Sequence, residues 1–183
     1  MFKNIKEDLK RYHHSPIRAL PIALSKLGFL ALLNYRFGFF LRELVRGIPL
    51  ISHLVWFITG ISRVIINVIS GIDIPYTAKI ACGMKICHFS NIFISTKAVI
   101  GRNCTLHQGV TIGRGVIQGE ESEPIIGDDV FIGANAVIIG AITLGNNVRI
   151  GANTCCFKSV SENTTVVSNG VRIIKNENSN IAQ

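Results

Sequence analysis

Between residues 126 and 156 an aliphatic residue falls at every sixth position: Ile126, Ile132, Ile138, Leu144 and Ile150, with glycine directly after four of the five. Small or branched residues follow four places behind each, at Val130, Ala136, Ile142, Val148 and Thr154. A helical period of 3.6 would scatter these positions around the axis, and a strand period of two does not call for the glycines. A period of six predicts a hexapeptide β-helix, in which three hexads form one triangular coil and each hexad gives one short strand with its aliphatic residue pointing inward.

The same series begins earlier, at Ile74, Ile80 and Ile86, and continues through Ile94, Ile100, Leu106 and Ile112. It slips twice. The step from Ile86 to Ile94 is eight residues, so CHFSNIF carries two extra, and the step from Ile112 to Ile126 is fourteen, two hexads plus two. Residues surplus to a regular scaffold leave it, so the second slip is expected as a protruding loop at 113–125 or an irregular rung.

Before Gly71 the pattern is helical. A charged helix is expected over 5–14, interrupted near Pro16 and Pro21, and a second over 23–46 with apolar residues on most faces. Pro49 opens a third apolar stretch; the sixteen residues 47–62 without formal charge fall short of the roughly 20 that a membrane-spanning helix needs. A peripheral or oligomer-packing hairpin is therefore expected ahead of a span. The chain divides into an α-helical N-terminal region (1–70), a β-helix domain (71–175) and a polar tail (176–183) expected to be disordered.

Charge sharpens this division. Residues 1–70 hold ten Lys/Arg against three Asp/Glu, a net +7 of the total +8. A basic and apolar segment suits an anionic membrane surface better than nucleic acid, since no aromatic platforms interleave its cations. Amphipathic helices packing on the next domain explain it equally well. Five cysteines, with no CxxC spacing and no secretory signal ahead of them, are expected to be reduced and mostly interior, in a cytoplasmic protein.

Candidate chemistry collects at the slips. His88 lies in the first, and His107 three hexads further on, one coil above, with the imidazoles separated by about a strand spacing of ~5 Å plus side-chain reach. Asp73, fifteen residues before His88, is placed to accept a hydrogen bond from one ring nitrogen and leave the other as base. The plainer readings are a surface histidine at each position and an aspartate that caps the first coil.

GIDI at 71–74, HQGVTIG at 107–113, PIIGDDVFIGANAVIIG at 124–140 and ENTTVVSNGVRII at 162–174 resemble the hexapeptide-repeat acyltransferases, most of all serine acetyltransferases and the related capsule and exopolysaccharide O-acetyltransferases. The resemblance implies a left-handed parallel β-helix and acetyl transfer from acetyl-CoA to a hydroxyl, with His88 as general base and Asp73 orienting it. It implies a site between subunits of a homotrimer, with trimers able to pair through N-terminal helices. By motif position it places acetyl-CoA against Gly133, Ala134, Arg149, Ala152 and Lys158; backbone N–H groups near Gly113 and Arg114 are placed to meet the thioester oxyanion, and no metal is expected.

One motif departs from the family. Serine acetyltransferases carry Arg-His before the proline of their second motif, where this chain has Ser122 and Glu123 before Pro124. Without that cationic pair, and with Glu123 placed to repel a carboxylate, the expected acceptor is a sugar hydroxyl of capsule, exopolysaccharide or O-antigen synthesis, bound with help from His107 and Glu123. Peripheral attachment to the inner face of the cytoplasmic membrane fits such an acceptor. Serine itself is the alternative. Outside this class stand a zinc hydratase, which needs three protein ligands where the repeat offers two histidines and Cys87, and a non-catalytic solenoid for binding or assembly.

Overall fold

The computed structural model of the 183-residue chain describes residues 1–13, 15–117 and 120–168. Its C-terminal part is a three-sided parallel β-helix. One face stacks β1 (Ile72–Asp73), β4 (Ile92–Ile94), β7 (Thr111–Gly113), β12 (Val137–Ile139) and β15 (Cys155–Cys156). The second face stacks β2 (Lys79–Ile80), β5 (Val99–Ile100), β10 (Ile125–Ile126) and β13 (Thr143–Leu144). The third stacks β3 (Lys85–Ile86), β6 (Thr105–Leu106), β11 (Phe131–Ile132), β14 (Arg149–Ile150) and β16 (Thr165–Val166). The chain visits the faces in turn, one strand per hexad.

The register follows the period. Ile86 lies beside Leu106, Leu106 beside Ile132 and Ile132 beside Ile150, so each face buries one unbroken aliphatic column. All of these side chains are fully buried, each contributing about 1.5–3 kcal/mol. The series two places before them, Ala98, Cys104, Val130, Ala136 and Val148, fills the remaining interior. Corners need special backbone: Asn103, Asp129, Asn135, Asn147, Asn153 and Asn163 all adopt φ between 55° and 58°, where Asn and Asp are the side-chain residues best tolerated. The glycines answer to the coil above. A Cβ on Gly133 would lie 2.7 Å from the backbone nitrogen of Ala152.

Both slips leave the scaffold. At the first, Ser90 and Asn91 take φ of 93° and 53° and carry residues 88–91 outward between the third and first faces. At the second, β8 (Gly115–Ile117) and β9 (Glu120–Ser122) pair antiparallel as a hairpin, a regular element where a loop or irregular rung was expected.

The helices are α1 (Phe2–Lys10), α2 (Pro16–Leu24), α3 (Leu27–Leu44) and α4 (Pro49–Ser70). They differ from expectation in three places. Pro16 opens α2 at its first turn, where a missing N–H costs nothing, and Pro21 is carried inside it. The long helix expected over 23–46 breaks at Ser25 and Lys26. Finally, α4 runs unbroken for 22 residues, long and apolar enough to cross a membrane by length and composition, because Arg63 does not interrupt it.

A buried ion pair ties the helices to the first coil. Arg36 of α3 donates from Nε and Nη2 to both oxygens of Asp8 on α1, at 3.0 and 3.2 Å, and to the carbonyls of Ile80 and Ala81. Asp8 also accepts from the Met84 N–H. Tyr35 donates to the Ala78 carbonyl, and a Cβ on Gly28 would collide with Ile86, so α3 lies directly on the β-helix. Cys104 and Cys156 are buried, but Cys155 is exposed and Cys82 and Cys87 are half-buried, so fewer cysteines fill interior slots than expected. The expected disordered tail lies outside the described residues.

Candidate active site

The residues singled out from sequence fall on the two edges of the first face. At the edge shared with the third face, His88 stands exposed on the bulge after β3. A cavity of 260 Å³ opens beside it, lined by Ser25, Lys26, Leu27, Gly28, Cys87 and Phe89. The break between α2 and α3 thus forms one wall of the space before the imidazole. One coil above, the His107 ring lies 5.8 Å from that of His88 and 5.1 Å from Phe131. Burial, and secondarily the neighbouring His88 and Lys85, lower the His107 pKa, so this ring is held neutral at neutral pH. Gly133, Ala134 and Ala152 follow His107 up the same edge.

At the opposite edge are Gly113 and Arg114, where the hairpin leaves the coil, with Glu123 at its return and Lys158 higher up. Glu123 does not extend to solvent. Its side chain is 6% exposed, lies 3.5 Å from Arg114 Nε, and accepts a 3.1 Å hydrogen bond from Ser95 Oγ. Arg149 belongs to neither edge; it sits on the third face with its guanidinium over the Phe131 ring.

Asp73 has another partner than expected. Arg63 of α4 donates from Nε to Asp73 Oδ1 at 2.6 Å, and among the described residues no hydrogen bond joins Asp73 to His88. Asp73 is paired in register with Phe93, beyond the bulge that displaces His88. Arg63, Ser95 and the buried Gln108 Oε1, which has no hydrogen-bond partner among the described residues, were not anticipated. Only Arg63 had a signal, as the single charge in an apolar helical stretch.

Comparison with known proteins supplies the rest. The profile of the bacterial transferase hexapeptide family (six repeats) matches residues 123–158. A serine acetyltransferase of Synechococcus elongatus is 30% identical over 177 residues, 95% of this chain and 69% of that protein. The chain belongs to the serine acetyltransferase-like branch of the hexapeptide transferases. Another serine acetyltransferase, from Staphylococcus epidermidis, is 39% identical over 114 residues, 62% of this chain and 54% of that one. The crystal structure of the Neisseria gonorrhoeae serine acetyltransferase in complex with serine superposes with a TM-score of 0.73 at 30% identity, over 94% of this chain and 68% of that one. This chain thus spans about half to two thirds of the length of these relatives.

The fold that these proteins share with it is the left-handed parallel β-helix behind an α-helical region. Family membership makes the chain an acetyl-CoA-dependent acyltransferase and displaces the non-catalytic solenoid. Among the described residues no group of three His, Cys, Asp or Glu is arranged to hold a metal. The carbohydrate acceptor, with its place in capsule, exopolysaccharide or O-antigen synthesis, is overturned: the relatives carry the name of serine, and one is complexed with it. Glu123 accounts for the error. Its carboxylate was read as facing an acceptor and repelling a carboxylate, whereas it is enclosed and shared between Arg114 and Ser95.

Proposed function

We propose that the chain transfers the acetyl group of acetyl-CoA to the hydroxyl of L-serine, as the alternative reading of the sequence held. The observation that carries this is His88: an exposed imidazole on a bulge with a cavity before it, in a chain 30–39% identical to serine acetyltransferases. His88 takes the proton of the serine hydroxyl as its oxygen attacks the thioester carbonyl. The tetrahedral oxyanion collapses, the C–S bond breaks, and coenzyme A leaves as thiolate and collects a proton. Backbone N–H groups around Gly113 and Arg114 are assigned to the oxyanion, a contribution of roughly 3 kcal/mol where one such donor has been removed from other enzymes.

The acceptor's carboxylate needs a cation, and Ser122 and Glu123 provide none. Arg114 is the substitute, beside the position where the family carries Arg-His. The pantetheine arm is assigned to Gly133, Ala134 and Ala152, with Arg149 and Lys158 toward the nucleotide phosphates. Since His88 and Arg114 occupy opposite edges of one face, we place the site between subunits of a homotrimer, where one chain's His88 edge meets the Arg114 edge of its neighbour. Asp73 enters as a residue held by Arg63 rather than as a hydrogen-bond partner of the base. The compartment assigned is the cytoplasm.

The test is thiol release from acetyl-CoA with L-serine or ethanolamine as acceptor, with O-acetylserine identified by mass. L-serine turns over and ethanolamine, lacking the carboxylate, is at least about tenfold poorer, as expected for loss of a charge-assisted contact. Arg114→Ala raises the KM for serine more than it lowers kcat. Absence of O-acetylserine above the hydrolysis blank overturns the reading.

A further inference from the structure

The helix α4 is packed inside out. The residues that it turns toward the protein are Ser52, Val55, Thr59, Gly60, Ser62, Arg63, Ile66, Asn67 and Ser70, which fall on one stripe of the helix. Most are polar, and their polar groups are used: Thr59 accepts from Arg42, Ser62 donates to Asn34, and Arg63 binds Asp73. Every exposed residue of α4 except His53 is apolar. Leu50 is 85% exposed, Val68 81% and Phe57 67%. A helix that rests on a water-soluble domain has the opposite arrangement, with its apolar stripe on the core and its polar face in solvent.

We infer that this outward face of α4 docks onto the surface of an anionic lipid bilayer. Two observations choose lipid over protein as its cover. The first is chemical uniformity. The face runs the length of the helix, about 33 Å, and among its exposed side chains only two offer a polar atom: His53, whose Nδ1 already contacts the Pro49 carbonyl, and Trp56, whose amphipathic indole suits a membrane–water interface. A protein interface of that extent carries a polar rim and about one hydrogen bond per 100–200 Å², whereas hydrocarbon asks for none. A shallow groove of 460 Å³ along it is bounded by Trp56, Phe57, Ile61, Val64 and Ile65, with Gly60 leaving open space at its floor. That notch has the shape and chemistry to take an acyl chain.

The second is charge. All three acids of residues 1–70 are paired with cations, Glu7 with Lys10, Asp8 with Arg36 and Glu43 with Arg46. Lys3, Lys6, Arg18 and Lys26 are exposed and have no ion-pair partner among the described residues. On α2, exposed Leu20, Ile22 and Leu24 lie between Arg18 and Lys26, apolar groups flanked by cations as at an anionic headgroup layer.

The helix lies on the bilayer and does not cross it. Its inner stripe is fixed to the β-helix at mid-length, through Arg63 to Asp73 and through the Tyr76 hydroxyl to the Thr59 carbonyl, and α3 beside it is pinned by Arg36. Half of its circumference is therefore occupied by protein.

The experiment is flotation of the full chain with vesicles of phosphatidylethanolamine and phosphatidylglycerol, against vesicles of phosphatidylcholine. Wild type floats with the anionic vesicles and less with the neutral ones, and added salt reduces but does not abolish the bound fraction, because apolar burial is not screened. Replacing Leu50, Phe57 and Val68 together with Ser lowers the bound fraction at least about tenfold, since three side chains no longer leave water. These side chains are mostly exposed, and retained thiol-release activity shows that the variant is folded. Failure of wild type to float overturns the inference, as does equal flotation of the triple variant. A wild type that stays off vesicles while its mass doubles through α4, and reverts in the triple variant, assigns the face to a second copy and overturns it too.

Discussion

The β-helix and the helix α4 contain the same kinds of residue, Ile, Val and Leu, and use them in opposite senses. In the β-helix the period of six sends each aliphatic side chain into a column, and Ile86, Leu106, Ile132 and Ile150 have no exposure at all. In α4 the polar stripe faces in, and Leu50, Phe57 and Val68 face out. The apolar content of 48% is therefore two populations, one that holds the fold together and one that the isolated chain leaves exposed. Composition cannot separate them, because hydrophobicity measures the cost of exposure and not where the residue ends up. Periodicity can, once it is known which side of an element the rest of the protein occupies.

The joint between the two regions shows the largest expected effect. Asp8→Ala leaves the Arg36 guanidinium buried and unpaired between α3 and the first coil, and is expected to cost about 3–5 kcal/mol in urea unfolding. A loss below about 1 kcal/mol would mean that the helices hold to the β-helix without the ion pair. Next comes the contrast of the two apolar populations. Leu106→Ala should cost about 2–5 kcal/mol through lost burial and the cavity left behind. Leu50→Ala, by the same assay in the absence of lipid, should change stability by no more than about 0.5 kcal/mol. Equal losses would erase the distinction.

The smallest effect is electrostatic and confined to the coil edge. Because the folded His107 pKa lies below the unfolded value of about 6.5, the unfolded chain binds more protons near that pH, and this residue's contribution makes the fold less stable as pH falls below it. In an NMR titration the His107 midpoint should lie below 6.5, and His88→Ala should raise it only part of the way, since burial is the larger cause. A midpoint unmoved by His88→Ala would mean that the two rings do not interact.

The β-helix was legible because its period is strict and belongs to no helix or sheet. The phase slips located its two excursions, but not their form: a count of surplus residues does not say that β8 and β9 pair antiparallel. His88 and His107 came together as the coil height requires. Asp73 pairs with Arg63 and, among the described residues, makes no hydrogen bond to His88, because spacing along the chain gives the coil and the face but not which neighbour a carboxylate binds. Glu123 was misread for a related reason. A carboxylate beside a motif reads as facing the acceptor, and only the fold shows Ser95 and Arg114 beside it. The interruption expected at Pro16 failed because proline in a first turn is compatible with a helix, and Pro21 is carried inside the same helix without ending it.

In the proposed mechanism an imidazole on the edge of the β-helix drives acetyl transfer to serine. The most direct test is the rate of O-acetylserine formation by wild type and His88→Ala at saturating acetyl-CoA and L-serine, with acetyl-CoA affinity measured separately by calorimetry. The expected result is serine-dependent turnover in wild type, a fall of about 10²–10⁴-fold in kcat for His88→Ala, the range for loss of a general base, and acetyl-CoA affinity within about twofold. A variant that retains activity within about tenfold of wild type would contradict it, as would a wild type that forms no O-acetylserine.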